Sequence, residues 1–443
     1  MRVAAVGGGL AGLAAALELA AEGHAVTLLE ARPTLGGAVQ TLPERDGDPA
    51  PPPDNGQHVA LACCDEYVRF LTALGQAGKL RRIRLSLPVL GEDGRVGRLG
   101  PRPLDLLRYP HIGLADRVRI GLVVRRLGKL DPAAHDGESF ADLLRRLGQS
   151  EAAIARFWDV FMRPALNLPS EAASASLGIF TVQRALLGGR GASDLLLPAA
   201  PLGEMHGEAA GRELRRLGAD IRTNARVVAL DDEAAVLADG ARVSADAFVL
   251  ALPPQETAEL LDEPPPELDD SPIVSVHLLF DRPILRFPLA ALLGSDAHWV
   301  FDRGLLTGSE PERGQYLTVV SSGAPELLEL RGRALVERLA AELTERLEPA
   351  ELLWSRVSRE PAATFAGRPG TAALRAPTET GRPNVVRAGA WTATGWPATM
   401  EGAVRSGLAA AEALRGHPVP PPAFERNGAK RASGARDVAG PKR

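Results

Sequence analysis

The first thirty residues decide most of what this chain can fold into. Val3-Ala-Ala-Val6 is a short apolar run and reads as a buried strand. Gly7, Gly9 and Gly12 follow in the order G-x-G-x-x-G. An alanine-rich helix is expected over residues 10–22, stopped by Gly23, and a second apolar strand over 25–29 ends at Glu30. Strand, glycines, helix, strand and acid in this order form a βαβ nucleotide-binding unit. Gly7 makes the tight turn, Gly9 lets the backbone approach a pyrophosphate, and Gly12 lets helix and strand pack closely. The pyrophosphate then rests on the helix N-terminus, whose free N–H groups and dipole favour an anion. Glu30, 18 residues beyond Gly12, is placed to accept hydrogen bonds from ribose hydroxyls. That favours FAD or NAD over a 2′-phosphorylated dinucleotide.

Length and composition narrow the class. The 443 residues leave room for two or three domains. A net charge of −4 gives no reason to expect a nucleic-acid partner. The first apolar segment is broken by glycines, so no signal peptide is expected. No run of roughly 18 uncharged apolar residues is present to span a bilayer. The two cysteines, Cys63 and Cys64, are neighbours and poorly placed to bridge each other, so a reduced, cytoplasmic setting is expected. The eight histidines show no metal-ligand spacing, and no metal is expected. Lysines stand only at 79, 129, 430 and 442, so nothing between 129 and 430 brings one to an active site.

After Glu30, Gly36 and Gly37 either bring main-chain N–H groups to a second phosphate or ribityl chain, or form a plain turn. Residues 43–54 form a proline-rich loop, and Asn55-Gly-Gln-His-Val59 leads into a helix expected over 65–74. Strands are expected over 81–100 with a turn at Glu92-Asp93-Gly94, and mainly helix over 103–187. Residues 117–130 mix Ile, Leu and Val with Arg117, Arg119, Arg125, Arg126 and Lys129. They are either an ordinary solvated helix or a membrane-surface segment in which Ile120, Leu122, Val123 and Val124 dip beneath the headgroups. A helix over 208–217 precedes a strand meander that turns at Asp239-Gly240 and closes with a buried strand over 247–252. A strand over 273–280, an amphipathic helix over 331–347 and a disordered tail from 417 complete the reading.

A second signature stands at Gly389-Ala-Trp391-Thr-Ala-Thr-Gly-Trp396-Pro-Ala-Thr-Met400-Glu401-Gly402-Ala-Val-Arg-Ser-Gly407. A strand reaches Gly389 and a helix begins near Thr399, giving a second helix N-terminus. It can meet the electron-rich edge of a reduced flavin. With the first unit and Ala31-Arg32…Gly36-Gly37, this segment resembles the FAD-dependent amine oxidase and phytoene desaturase superfamily. Asp54-Asn-Gly-Gln-His58, Ala165-Leu-Asn-Leu-Pro169 and Gly188-Gly-Arg-Gly-Ala-Ser-Asp-Leu-Leu-Leu-Pro198 narrow the resemblance to the hydroxysqualene dehydroxylases, over roughly residues 1–415.

The resemblance implies an α/β chain: a Rossmann-like FAD-binding domain with a mixed α+β substrate domain, as in amine oxidases and glutathione reductase. The FAD domain is expected from 1–80, 205–270 and 380–416, the substrate domain from 81–204 and 271–379. FAD is expected to be non-covalent, since the 389–402 segment has no cysteine. Gly7, Gly9, Gly12, Glu30, Arg32, Gly36 and Gly37 would hold its ADP half. Val227 would meet the adenine through its backbone, and Gly389, Thr399 and Met400 would lie near the ribityl chain and flavin. Asp54, Asn55, Gln57 and His58 are candidates for proton donation, or form a structural loop that caps a helix.

The implied reaction is reductive removal of a hydroxyl from hydroxysqualene, an allylic alcohol, giving squalene in squalene and hopanoid synthesis. The implied partners are this polyisoprenoid, a membrane surface met peripherally, and squalene-pathway enzymes. The superfamily usually has an acid after the glycine where this chain has Ala390, which removes a hydrogen bond to the ribityl chain. Three other readings stay open: a polyene desaturase, a flavin amine oxidase, and a non-catalytic FAD-binding scaffold. The missing lysine, and Thr399 where an aromatic often stands, speak against amine oxidation.

Overall fold

The computed structural model describes residues 1–415, so the tail from 417 lies outside the described residues. Arg2–Val6 is a strand, buried from Val3 onward, and Ala25–Leu29 pairs beside it in parallel. They sit within a five-stranded parallel sheet in the order Val385–Arg387, Ala247–Leu250, Arg2–Val6, Ala25–Leu29, Asp220–Arg222. A parallel sheet is covered on both faces, which is why its strands read as continuous apolar runs. The helix Leu10–Ala21 crosses between the first two strands and is buried over residues 10–20. Asp220–Arg222 departs from the expected meander. The helix Ala209–Arg216 carries the chain across the sheet, so this strand joins the parallel edge beside Ala25–Leu29. Val227–Leu230, Ala234–Leu237 and Arg242–Ser244 make the antiparallel meander alone.

The C-terminal helix, Met400–Arg415, lies along the N-terminal helix and runs the same way. A Cβ at Gly407 would stand 2.1 Å from the Ala11 carbonyl oxygen and 3.0 Å from the Ala14 Cβ. Only a glycine against an alanine face lets the backbones come this close. At the other end Arg415 pairs with Glu18 and Glu22, at 3.0 and 2.8 Å.

A seven-stranded mixed sheet forms the other half of the α/β fold, in the order Leu352–Phe365, Asp270–Phe280, Gln315–Ser322, Trp299–Asp302, Leu289–Leu292, Leu87–Leu90, Val96–Leu99. Alternation along the strands splits its faces. Val274, Val276, Leu278, Leu317 and Val319 pack with Leu339 and Leu343 of the helix Arg333–Arg346. The opposite face carries Ser275, His277 and Thr318, and His277 reaches the 54–58 loop. The helices between 103 and 187 pack on the far strands around Phe140, Trp158, Leu289 and Phe301. In the helix Leu114–Leu127 the structure corrects which side chains face outward. Ile120 and Val123 are buried in this core, while Leu122 is exposed, as are Leu114 and Val118.

Gly407→Val is expected to lower the thermal unfolding midpoint by an amount equivalent to roughly 1–3 kcal/mol, the range for overpacking a close contact. Gly121→Ala, where the added Cβ meets nothing within 4 Å, should leave the midpoint unchanged or raise it. Calorimetry of the two variants checks the contrast. Equal midpoints would mean that the helices separate at no cost.

Candidate cofactor and active site

The glycine loop leaves the first strand at Gly7, whose φ of +104° favours glycine. A Cβ at Gly12 would lie 1.9 Å from the Gly7 carbonyl oxygen, so this glycine is needed for packing. Gly9 is different: a Cβ there meets only the Gly37 Cα, at 3.8 Å, and the space in front of it is open. Gly9 also N-caps the first helix with no side-chain bond and no acid in the first turn. Several other helices are closed by their own caps, Ser139, Ser174 and Asp302 among them. The first helix therefore presents bare N–H groups to an anion.

Gly36 and Gly37 are not a free surface turn. Gly36 N donates to the Gly8 carbonyl at 2.8 Å, and a Cβ on Gly37 would press on the Gly9 Cα at 2.8 Å. Glu30 is buried; its Oε2 accepts from Gly8 N at 2.6 Å and its Oε1 from Arg32 N at 2.7 Å. It thus fixes the loop, and each oxygen keeps lone-pair capacity for a ribose hydroxyl. Val227 packs with Val6 and Leu29, the residues that end the first two strands. Asn55 ties its Nδ2 to the Ala38 carbonyl at 2.6 Å beside the glycine pair, and its Oδ1 is buried with no partner among the described residues. An open glycine cradle, an uncapped helix and an orphan acceptor fit the ADP half of a dinucleotide.

The second signature assembles around Gly389, whose N–H donates to Ser406 Oγ at 2.8 Å. A Cβ there would meet the Trp391 indole nitrogen at 2.4 Å. Thr399 Oγ1 accepts from Gly402 N at 3.2 Å and opens the helix that begins at Met400. Trp396 lies edge-to-face with Phe180, ring centres 5.0 Å apart, with Arg184 and Arg405 over its ring at 5.8 and 4.9 Å.

Two residues the sequence reading left without a role organise this region. Glu401 is buried; its Oε2 accepts from Tyr67 N at 2.7 Å and its Oε1 from Glu66 N at 3.2 Å. It caps the helix Asp65–Ala73, which has no side-chain cap of its own. Burial pushes its carboxyl above the usual range, against the pull of those N–H groups and Arg405. Arg375 donates to the carbonyls of Ala390, Trp391 and Trp396 and to Thr394 Oγ1, at 2.8–3.3 Å. Burial lowers its guanidinium to about 10. The acid in the first helical turn, directly after Met400, was the available signal for Glu401; Arg375 is one of three arginines between 375 and 387 and carried none.

The 54–58 loop joins the two halves of the fold. Asp54 Oδ1 accepts from Thr41 Oγ1 at 2.7 Å and Leu202 N at 2.9 Å, and its Oδ2 pairs with Arg303 at 2.8 Å. Both side chains are buried, and His277 Nε2 donates to the Asp54 carbonyl at 2.9 Å. Both oxygens of Asp54 are engaged within the protein, an arrangement that holds the loop in place. Gln57 and His58 stand beyond it, both partly exposed. His58 Nδ1 lies 3.3 Å from the Gly56 carbonyl, which can only accept. Enclosure of the ring pushes this imidazole below the usual histidine range, against the opposing pull of the Gly56 carbonyl and Asp54. A groove of about 750 Å³ between the helix Arg333–Arg346 and the long strands is lined by none of these residues.

Two helix N-termini, a glycine cradle and a loop pinned between two sheets define an α/β flavoprotein. The family model for flavin containing amine oxidoreductase matches residues 10–415. The hydroxysqualene dehydroxylases of Rhodopseudomonas palustris and Sinorhizobium fredii are 30% and 28% identical to the chain, over 92% of it and 96% of each relative. A zeta-carotene desaturase from Synechocystis is 26% identical over 94% of the chain and 97% of that protein. A putrescine oxidase variant shares the fold, with a TM-score of 0.71 at 20% identity, over 94% of the chain and 98% of its own. The chain belongs to the flavin containing amine oxidoreductase family, and it is an oxidoreductase whose cofactor is FAD.

Gly9→Val is expected to unfold at the midpoint of the wild-type apoprotein and to take up no FAD, because the side chain enters open space that the pyrophosphate needs. Gly12→Val is expected to unfold at lower temperature, because its side chain meets the Gly7 backbone. Flavin absorbance per chain and calorimetry read the two effects. Normal FAD content in Gly9→Val would contradict the assignment of the cradle.

Proposed function

We propose that this oxidoreductase removes the allylic hydroxyl of hydroxysqualene reductively, releasing squalene and water. The end-to-end similarity to two dehydroxylases carries the reading. The chemistry of the site supports it. No lysine stands between 129 and 430, and although Trp396 could form one aromatic wall, Thr399 stands where a second is often found, so two parts that many amine oxidases use are missing. Beyond His58 the chain continues through Val59 and Leu61 into the apolar cluster with Trp299, Phe301 and Val320. A hydrocarbon lying against the partly buried members of that cluster, Val59, Leu61, Trp299 and Val320, would be shielded from water.

Replacing C–OH by C–H takes one proton, for the departing water, and one hydride. FAD, bound and reduced, supplies the hydride. The proton enters from solvent through His58, whose partly exposed ring can take it at Nε2 and pass it to the departing hydroxyl. Asp54, fixed by Arg303, holds the loop that presents Gln57 and His58. With Nδ1–H turned to the Gly56 carbonyl, His58 offers Nε2 as an acceptor, and Gln57 offers an amide donor. These two groups orient the substrate hydroxyl, and the dry apolar wall protects the allylic cation from water. Arg375 and Glu401 hold the two segments that frame the cofactor.

Such a substrate is nearly insoluble in water. We therefore place the enzyme peripherally at a membrane surface, close to the enzymes that form hydroxysqualene. No helix among the described residues is long and apolar enough to cross a membrane.

Polyene desaturation is the second reading, favoured by the similarity to zeta-carotene desaturase. The direction of electron flow separates the two. Mixed anaerobically with hydroxysqualene, photoreduced holoenzyme should yield one squalene, detected by gas chromatography, for each FAD reoxidised. Oxidised enzyme that is bleached by phytoene and does not act on hydroxysqualene would replace the proposal with desaturation. No turnover of either would leave a scaffold.

A further inference from the structure

The helix Leu114–Leu127 faces two environments. Ile120, Val123 and Leu127 are buried in the apolar cluster that reaches Val59 and Leu61 beside the 54–58 loop. On the opposite side Leu114, Val118 and Leu122 recur every four residues and are 66%, 52% and 65% exposed. That spacing keeps them on one stripe. The preceding helix, Pro103–Leu107, exposes Leu104 and Leu107 next to it, held there by Arg117 Nη1 donating to the Leu107 carbonyl at 2.7 Å. Leu187, also exposed, stands beside Gly128 at the helix end. Half of the twelve exposed large hydrophobic side chains among the described residues thus gather on one surface. Such gathering marks an interaction site.

Charge identifies the occupant. Residues 102–129 carry seven basic side chains, six Arg and Lys129, against two acids, Asp105 and Asp116: a net +5 on a chain of net −4. Among the described residues none of the seven is in an ion pair; the pairs on either side in sequence involve Arg95 and His135. On the next helix, by contrast, Arg145 and Arg146 are tied to carboxylates. Along the outer face of Leu114–Leu127 the apolar stripe is followed by Arg125, Arg126 and then Lys129, all exposed. An apolar stripe with an unneutralised basic rim matches the boundary between acyl chains and anionic headgroups. Two copies of this face would oppose +5 with +5, which disfavours self-association through it.

We propose that the surface formed by Leu104, Leu107, Leu114, Val118, Leu122 and Leu187, rimmed by Arg119, Arg125, Arg126 and Lys129, docks the enzyme on an anionic lipid bilayer. The inference deepens the reading above and rests on it only for the substrate that the bilayer delivers. One helix then separates lipid on its outer side from the apolar cluster next to the site on its inner side.

The test is co-sedimentation of full-length holoprotein with phosphatidylcholine vesicles, with and without phosphatidylglycerol. Wild type should bind the anionic vesicles at least about tenfold more tightly, and less so as salt is raised. V118D/L122D and R119E/R125E/R126E alter exposed, unpaired positions. Each should keep its FAD content and lose binding by about tenfold or more. Equal binding to both vesicle types, variants that sediment like wild type, or wild type that stays in the supernatant would overturn the proposal. So would a wild-type dimer that V118D/L122D dissolves, which would make a second copy the occupant. Vesicle binding is read without substrate, so its failure is distinct from a failure to form squalene.

Discussion

The cofactor end of the molecule depends on one close approach, that of Gly407 to the backbone of Ala11. Because two helices touch there without side chains between them, their starts are fixed relative to each other. They run in the same direction, with Gly407 beside Ala11 and Arg415 beside Glu18 and Glu22. Met400 therefore leads Leu10 by about six residues, or roughly 9 Å at 1.5 Å per residue. Two positive helix ends point the same way at different heights. One suits a diphosphate, the other the electron-rich edge of a reduced ring. FAD carries both groups on one molecule, joined by a ribityl chain.

The loops around these ends are made rigid by buried polar contacts that reach across the fold. Glu401 caps a helix more than three hundred residues earlier in the chain. Arg303, which follows the strand Trp299–Asp302 of the mixed sheet and opens a short helix, pairs with Asp54 in the 54–58 loop. Removing one partner of such a buried pair typically costs about 3–5 kcal/mol, since it strands the other charge. These contacts therefore act as fixed joints, and they hold Gln57 and His58 at the meeting of the glycine cradle and the apolar cluster. Arg375 plays a similar part by gripping the carbonyls of the 390–396 loop. It thereby stiffens the segment around Ala390.

The βαβ unit, the C-terminal signature and the α/β class were legible in the sequence because each is local: glycines, apolar runs and helix starts lie within thirty residues of one another. The open space at Gly9 and the crowding at Gly12 follow the expected division of labour among the glycines. What the sequence hid was long-range pairing. Nothing near Asp54 announces Arg303, and nothing near Cys64 announces that Glu401 will cap its helix. Asp220–Arg222 looked like part of the meander because alternation says nothing of which neighbour a strand will choose. In the 117–130 segment the apolar residues were visible, but their faces were not: Ile120 and Val123 point inward, and the outward stripe begins at Leu114, upstream of Arg117.

The claim most exposed to test is that one cofactor engages both helix ends. Titration of the apoprotein with FAD, FMN and ADP, side by side in a calorimeter, tests it most directly. Linking two binding groups makes the second contact intramolecular, so FAD should bind one per chain and at least about 100-fold more tightly than either fragment. ADP or FMN binding as tightly as FAD would show that a single helix end does the holding, and would contradict the assignment of the other.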